Sequence, residues 1–150
     1  MYDLDRIIRL ALAAGLTVPL LWACAPATQT PAPIKPASIE MNEETGLGLV
    51  RLTEAAAMRI GLATSNIRMA AQTRNGTSQL AVPYSSVLYD TNGDTWIYVS
   101  PETLAFVRRQ IDVDYIEGDT AVLLTGPDAE TIVVTVGAAE LYGVETGIGK

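Results

Sequence analysis

Residues 95–136 alternate between short β-rich runs and turn-forming clusters, and one of those runs fixes the period. In residues 110–115, Ile111, Val113 and Tyr115 alternate strictly with Gln110, Asp112 and Asp114. Period-two alternation sets one face of a strand on a core and the other in water, whereas a helix needs apolar positions three and four apart. Residues 96–99, 121–124 and 132–136 are further runs rich in β-forming side chains. Gly118-Asp119 and Gly126-Pro127-Asp128 separate them with the residue types that turns require. The reading is a mainly β fold: a small antiparallel β-roll or barrel-like domain with short connections.

Upstream, residues 49–52 read as a short strand and Thr53 as the N-cap of one short α-helix over residues 54–60. Glu54 sits at the positive end of that helix and Arg59 at its negative end, both favourable to the macrodipole. Gly61 suits the left-handed position after the last turn. Ala55, Met58 and Leu62 fall on one face, which is expected to lie across the sheet.

At 150 residues the chain has room for one domain, and a hydrophobic content of 49% is ordinary for one. A net charge of −7 argues against a nucleic-acid partner, because phosphate contacts need a clustered basic face. There is no His, so the commonest general base and metal ligand is absent, and a single Cys excludes an intramolecular disulfide.

The constellations that could carry chemistry are weak. Asp90, Asn92 and Asp94 imitate the first ligands of a calcium loop, but Gly93 falls two positions early and Pro101 stands where a bidentate Glu is needed. A hairpin turn built on Asn92-Gly93 is the better reading. Asp112, Asp114, Glu117 and Asp119 read as solvated edge charges. Ser85 and Ser86 have no His to activate them. Met41, Met58 and Met69 do not cluster. No catalytic residue, metal site or cofactor is expected.

Residues 1–23 have the pattern of a secretory signal, with Arg6 and Arg9 before an apolar run over residues 10–22. The run is shorter than the roughly 20 residues that span a bilayer. Leu21-Trp22-Ala23-Cys24 resembles a bacterial lipobox, which implies lipid attachment at Cys24. Residues 24–46 carry Pro26, Pro31, Pro33 and Pro36 and read as a flexible tether. At about 3 Å per residue, its Pro-rich part would hold a domain up to roughly 40 Å from the lipid. The β-domain is expected over residues 47–143, with a disordered tail over residues 144–150. Ala25, following the Cys, lacks the Asp that signals inner-membrane retention in this lipoprotein class, so the outer membrane is mildly preferred.

The β-rich part resembles the C-terminal part of periplasmic adaptors, the membrane-fusion proteins of tripartite efflux pumps. The ordered elements are Val82-Pro83, Val87-Leu88, Gly93, the strand Trp96-Ile97-Tyr98-Val99, and the basic residue and alternating strand from Arg108 to Val113. Gly118, Val122, Leu124, Gly126, Val133-Val134, Gly137 and Leu141-Tyr142 complete the series; Pro127 departs from it, since a Leu commonly follows that Gly. Gly61, Leu62 and Thr64 match the adaptor segment that precedes the lipoyl part. The resemblance implies a membrane-proximal domain alone. The lipoyl, hairpin and barrel regions of a full adaptor are absent between the two segments, and residues 73–78 bridge the gap. The implied function is a lipid-anchored periplasmic binding module in the bacterial envelope. It would dock on, or modulate, an inner-membrane efflux transporter or a full-length adaptor, through Tyr89, Asp90, Asn92 and Arg108. The alternative is a stand-alone envelope lipoprotein with an unrelated binding or structural role.

Overall fold

The computed structural model describes residues 35–71, 73–74 and 76–148. The expected signal segment, Cys24, and the expected tether up to residue 34 lie outside the described residues.

In chain order the elements are β1 (Ala37–Met41), β2 (Gly48–Leu52), α1 (Glu54–Arg59), β3 (Ala63–Asn66), β4 (Arg68–Met69) and β5 (Leu80–Pro83). A 3-10 turn at Tyr84–Ser86 follows, then β6 (Leu88–Tyr89), β7 (Thr95–Glu102), β8 (Ala105–Glu117), β9 (Thr120–Thr125), β10 (Ile132–Val136) and α2 (Ala138–Thr146). The fold is mainly β, with a nearly closed antiparallel, barrel-like sheet, as the alternation and turn spacing indicate.

Closure depends on one short segment. The strand order is β3-β10-β7-β8-β9-β5-β4, so the two ends of the series are β3 and β4, which only Ile67 separates in the chain. Ile67 is fully buried in the barrel interior. Its N–H donates to Thr131 O and its carbonyl accepts from Glu130 N, both at 2.9 Å, so the backbone stays paired where the segment changes partner strands.

Strand β8 is 13 residues long and serves several neighbours. One edge pairs with β7; the other pairs first with β2, at Phe106 and Ala105, and then with β9. Register shifts between Asp112 and Val113 and between Val113 and Tyr115 let it bend between these partners. Ile111, Val113 and Tyr115 face inward as the alternation requires, with Val113 half-buried.

Strands β7 and β10 are apolar on both faces because both faces are covered. Ile97, Val99 and Val133 join Ile67, Val82 and Leu123 inside the barrel. Their neighbours Tyr98 and Val134 point outward into a second cluster with Val50, Phe106, Ala138 and Leu141 of α2. Each fully buried Val, Leu or Ile contributes about 1.5–3 kcal/mol, so α2 is held as part of the core.

Helix α1 has the ends its sequence indicates. Thr53 Oγ1 accepts from Ala56 N at 3.2 Å. Gly61 takes φ +64, with Gly61 N–H donating to Met58 O (3.1 Å) and Leu62 N–H to Ala57 O (2.9 Å). The buried face, however, is Ala56 and Ala57, while Met58 is 70% exposed. The expected face of Ala55, Met58 and Leu62 is therefore corrected: six residues make too short a helix for periodicity to choose its face, and packing around Ile60 and Leu62 chooses it instead.

Two boundaries also move. Strand β1 lies inside the stretch read as tether, because it pairs along its length with β2. Helix α2, a second helix not expected, runs through residues 144–146, where a tail was expected to begin. Leu141 and Glu145 anchor it.

Candidate docking surface

Arg108 stands directly opposite Tyr98 across the β7–β8 pair, on the face that α2 covers. Its Nε donates to Glu145 Oε1 at 3.1 Å. The same oxygen accepts from Gly48 N at 3.0 Å, and Oε2 accepts from the Tyr98 hydroxyl. Only 3% of the Glu145 side chain and 17% of that of Arg108 are exposed. The guanidinium also lies 4.7 Å from the centre of the Trp96 ring and 5.7 Å from that of Tyr142, close enough for cation–π attraction. Burial, then the hydrogen bond to Glu145 and its charge, push the Tyr98 phenol far above its ordinary value, so it remains a donor. Of the expected partner-binding residues, Arg108 is therefore committed inward.

Asp90 is also committed. Its Oδ1 accepts from Asn92 N (2.8 Å) and Asp94 N (3.0 Å), and its Oδ2 accepts from Trp96 Nε1 (3.1 Å). Desolvation works against the ionised form, but the N–H groups of Asn92, Asp94 and Gly93 and the indole outweigh it and hold the carboxylate below its ordinary range. The 90–94 loop is thus a hairpin turn that Asp90 builds around itself, with Gly93 at φ +88. A relay of contacts runs from this tip through Trp96 and Arg108 to Glu145 on α2.

Tyr89 and Asn92 remain on the surface. Tyr89 is 54% exposed and its phenol lies near that of Tyr84, itself 40% exposed. The neighbouring Tyr84 hydroxyl, then desolvation, raises the Tyr89 phenol above its ordinary value. The Tyr84 N–H donates to Asp119 O at 2.8 Å, which places Tyr84 beside an open cleft of about 540 Å³ lined by Arg68, Met69, Pro83, Glu117 and Asp119. Tyr84 and Tyr89 present two exposed amphipathic rings, and the cleft presents one cation and two carboxylates.

The acidic cluster is dispersed. Asp112 accepts from Thr125 Oγ1 (2.6 Å), Asp114 from Gln79 Nε2 (2.9 Å), and Glu117 and Asp119 line the cleft. Among the described residues no group of three or more His, Cys, Asp or Glu is placed to hold a metal ion.

Sequence reasoning missed Tyr84, Trp96 and Glu145. Tyr84 carries a usable signal, because Pro83 starts a tight turn and puts the next side chain at a corner. Glu145 carries none, since its partners are 37, 47 and 97 positions away. Comparison with family models, with curated proteins and with solved structures finds no match.

Proposed function

We propose that the protein is a lipid-anchored periplasmic binding module that docks on, or modulates, an inner-membrane efflux transporter or that transporter's full-length adaptor. The observation that carries this reading is the way the domain completes itself where an adaptor's remaining regions would emerge. Strands β4 and β5 pair as neighbours, Arg68 with Ala81 and Met69 with Leu80, and residues 70–79 connect them directly. Described residues of the bridge make these contacts: Ala70 N donates to Gln79 O (2.8 Å), Gln79 Nε2 to Asp114, and Arg74 lies 4.0 Å over the Tyr115 ring. A membrane-proximal domain closed at this point keeps a face for the transporter.

The docking face in this reading is the Tyr84–Tyr89 pair with Asn92 and the adjoining cleft, which must cover on the order of 800 Å² to bind specifically. Cys24 holds the module at the membrane and so raises its effective concentration at the transporter. The test is crosslinking in intact membranes followed by capture of the tagged protein, with wild type and Cys24→Ala in parallel. Wild type is expected to recover a transporter or adaptor, and Cys24→Ala to recover less. A blank from both overturns the reading and leaves the stand-alone envelope protein.

A further inference from the structure

We infer that the free edge of β1 is a self-association surface, on which a second copy of this chain pairs β1 against β1 across a twofold axis at Ile39. Among the described residues β1 pairs with β2 alone. Thr53 N donates to Pro36 O and Asn42 N to Leu47 O, both at 2.9 Å, so the even-numbered residues of β1 turn their backbone groups toward β2. Alternation then points the N–H and C=O of Ala37, Ile39 and Met41 outward, a row that no described strand pairs and that templates another strand.

A twofold at Ile39 uses all three residues. Ile39 meets its own copy, and Ala37 meets Met41 of the second copy and the reverse, each as a hydrogen-bonded antiparallel pair. The same register sets Ser38 against Glu40, a hydroxyl against a carboxylate. Beyond the strand it brings Lys35 toward Glu43 and Glu44, so opposite charges meet at both ends of the joint. No other register centred on β1 both uses the three outward residues in full and aligns these charges.

Side chains support the same geometry. Directly opposite residues in an antiparallel pair share a face, so the two copies present their α2 helices on one side of the continued sheet. On that side, Ala37, Ile39, Gly143, Val144 and Ile148 line a trough between β1 and α2. Met41 and Ile148 are 59% and 69% exposed there. A second copy supplies the trough's missing wall and takes this apolar surface out of water. The joint is isologous and therefore closes at two copies.

The experiment is light scattering and sedimentation on the full chain carrying Cys24→Ala, which removes the one thiol and with it any disulfide dimer. The expected mass is twice the 16.0 kDa of one chain, falling to that of a monomer on dilution. Ile39→Pro removes an N–H that points away from β2, a position at which an edge strand accepts Pro; it should give a folded monomer. Lys35→Glu sets like charges at both ends and should weaken association at least tenfold, and adding Glu43→Lys should restore it. A monomer at every concentration overturns the inference. So does a dimer that ignores both Ile39→Pro and Lys35→Glu, and, should Ile39→Pro fail to fold, the charge reversal and its rescue decide alone.

Discussion

The Glu145 carboxylate meets Arg108 Nε at 3.1 Å with 3% of its side chain exposed, in the last turn of a helix that the sequence does not announce. An ion pair this enclosed is unlike the surface pairs Arg51–Glu40 and Arg51–Glu102, whose side chains are 38% to 64% exposed. Exposed pairs of that kind contribute about 0–1 kcal/mol. A buried pair costs desolvation that its mutual attraction only offsets, but removing one partner strands the other charge.

Arg108→Met should therefore destabilise the domain by about 3–5 kcal/mol, because Glu145 keeps only Gly48 N–H and the Tyr98 hydroxyl as donors. Arg108→Met combined with Glu145→Leu should recover a large part of that loss. Urea unfolding of the wild type, the two single variants and the double variant measures the coupling. Additive losses would show that the two side chains do not act as a pair.

Asp90 gives a pH dependence of defined sign. Its folded carboxylate lies below the ordinary value near 3.9, so the contribution is fully present above that value and is lost as pH falls through the lower, folded one. The indole N–H of Trp96, which donates to this carboxylate, reports the loss directly. Its NMR shift should titrate with a midpoint below the ordinary carboxylate range and stop titrating in Asp90→Asn. A midpoint at or above the ordinary value would contradict the depressed carboxylate.

Gly137 and Gly118 separate two costs of adding a methyl group. Both take positive φ, +95 and +56, where an L-residue loses about 1–2 kcal/mol. A Cβ at Gly118 meets nothing within 4 Å, whereas one at Gly137 lies 3.1 Å from both Ile60 Cδ1 and Leu62 Cδ1. Gly137→Ala should cost more than Gly118→Ala by about 1 kcal/mol, the lower end of what overpacking costs. Equal midpoint shifts in thermal unfolding would mean that the α1–α2 contact yields freely.

These residues also mark what the sequence made legible. Val133 and Val134 announce a strand because β-branched residues buried on both faces leave a continuous apolar run between turns. Thr53 and Gly61 announce the ends of α1 because capping is local chemistry, complete within a few positions. Strand β1 was hidden because Ser38 and Glu40 belong to a polar edge beside prolines, which carry the composition of a tether. Helix α2 was hidden because Gly143 interrupts it and Leu141 and Tyr142 suit a strand equally well; only the outer face of the sheet selects the helix. At the docking surface the hairpin tip was legible from Asn92-Gly93, while the inward commitment of Asp90 and Arg108 depends on Trp96 and Glu145 arriving from other elements.

Tyr89 tests whether the surface is used. With its side chain half exposed, Tyr89 contributes little to the fold, so Tyr89→Ala should leave stability within about 0.5 kcal/mol of wild type. Aromatic anchors at an interface centre cost about 2 kcal/mol or more when truncated. The same variant should therefore lose most of the transporter or adaptor captured by crosslinking, and Tyr84→Ala with it. Asp112→Asn, on the exposed face of β8, serves as the control that should leave capture unchanged. Full capture by both tyrosine variants, with folding intact, would move the docking face away from the β6–β7 hairpin.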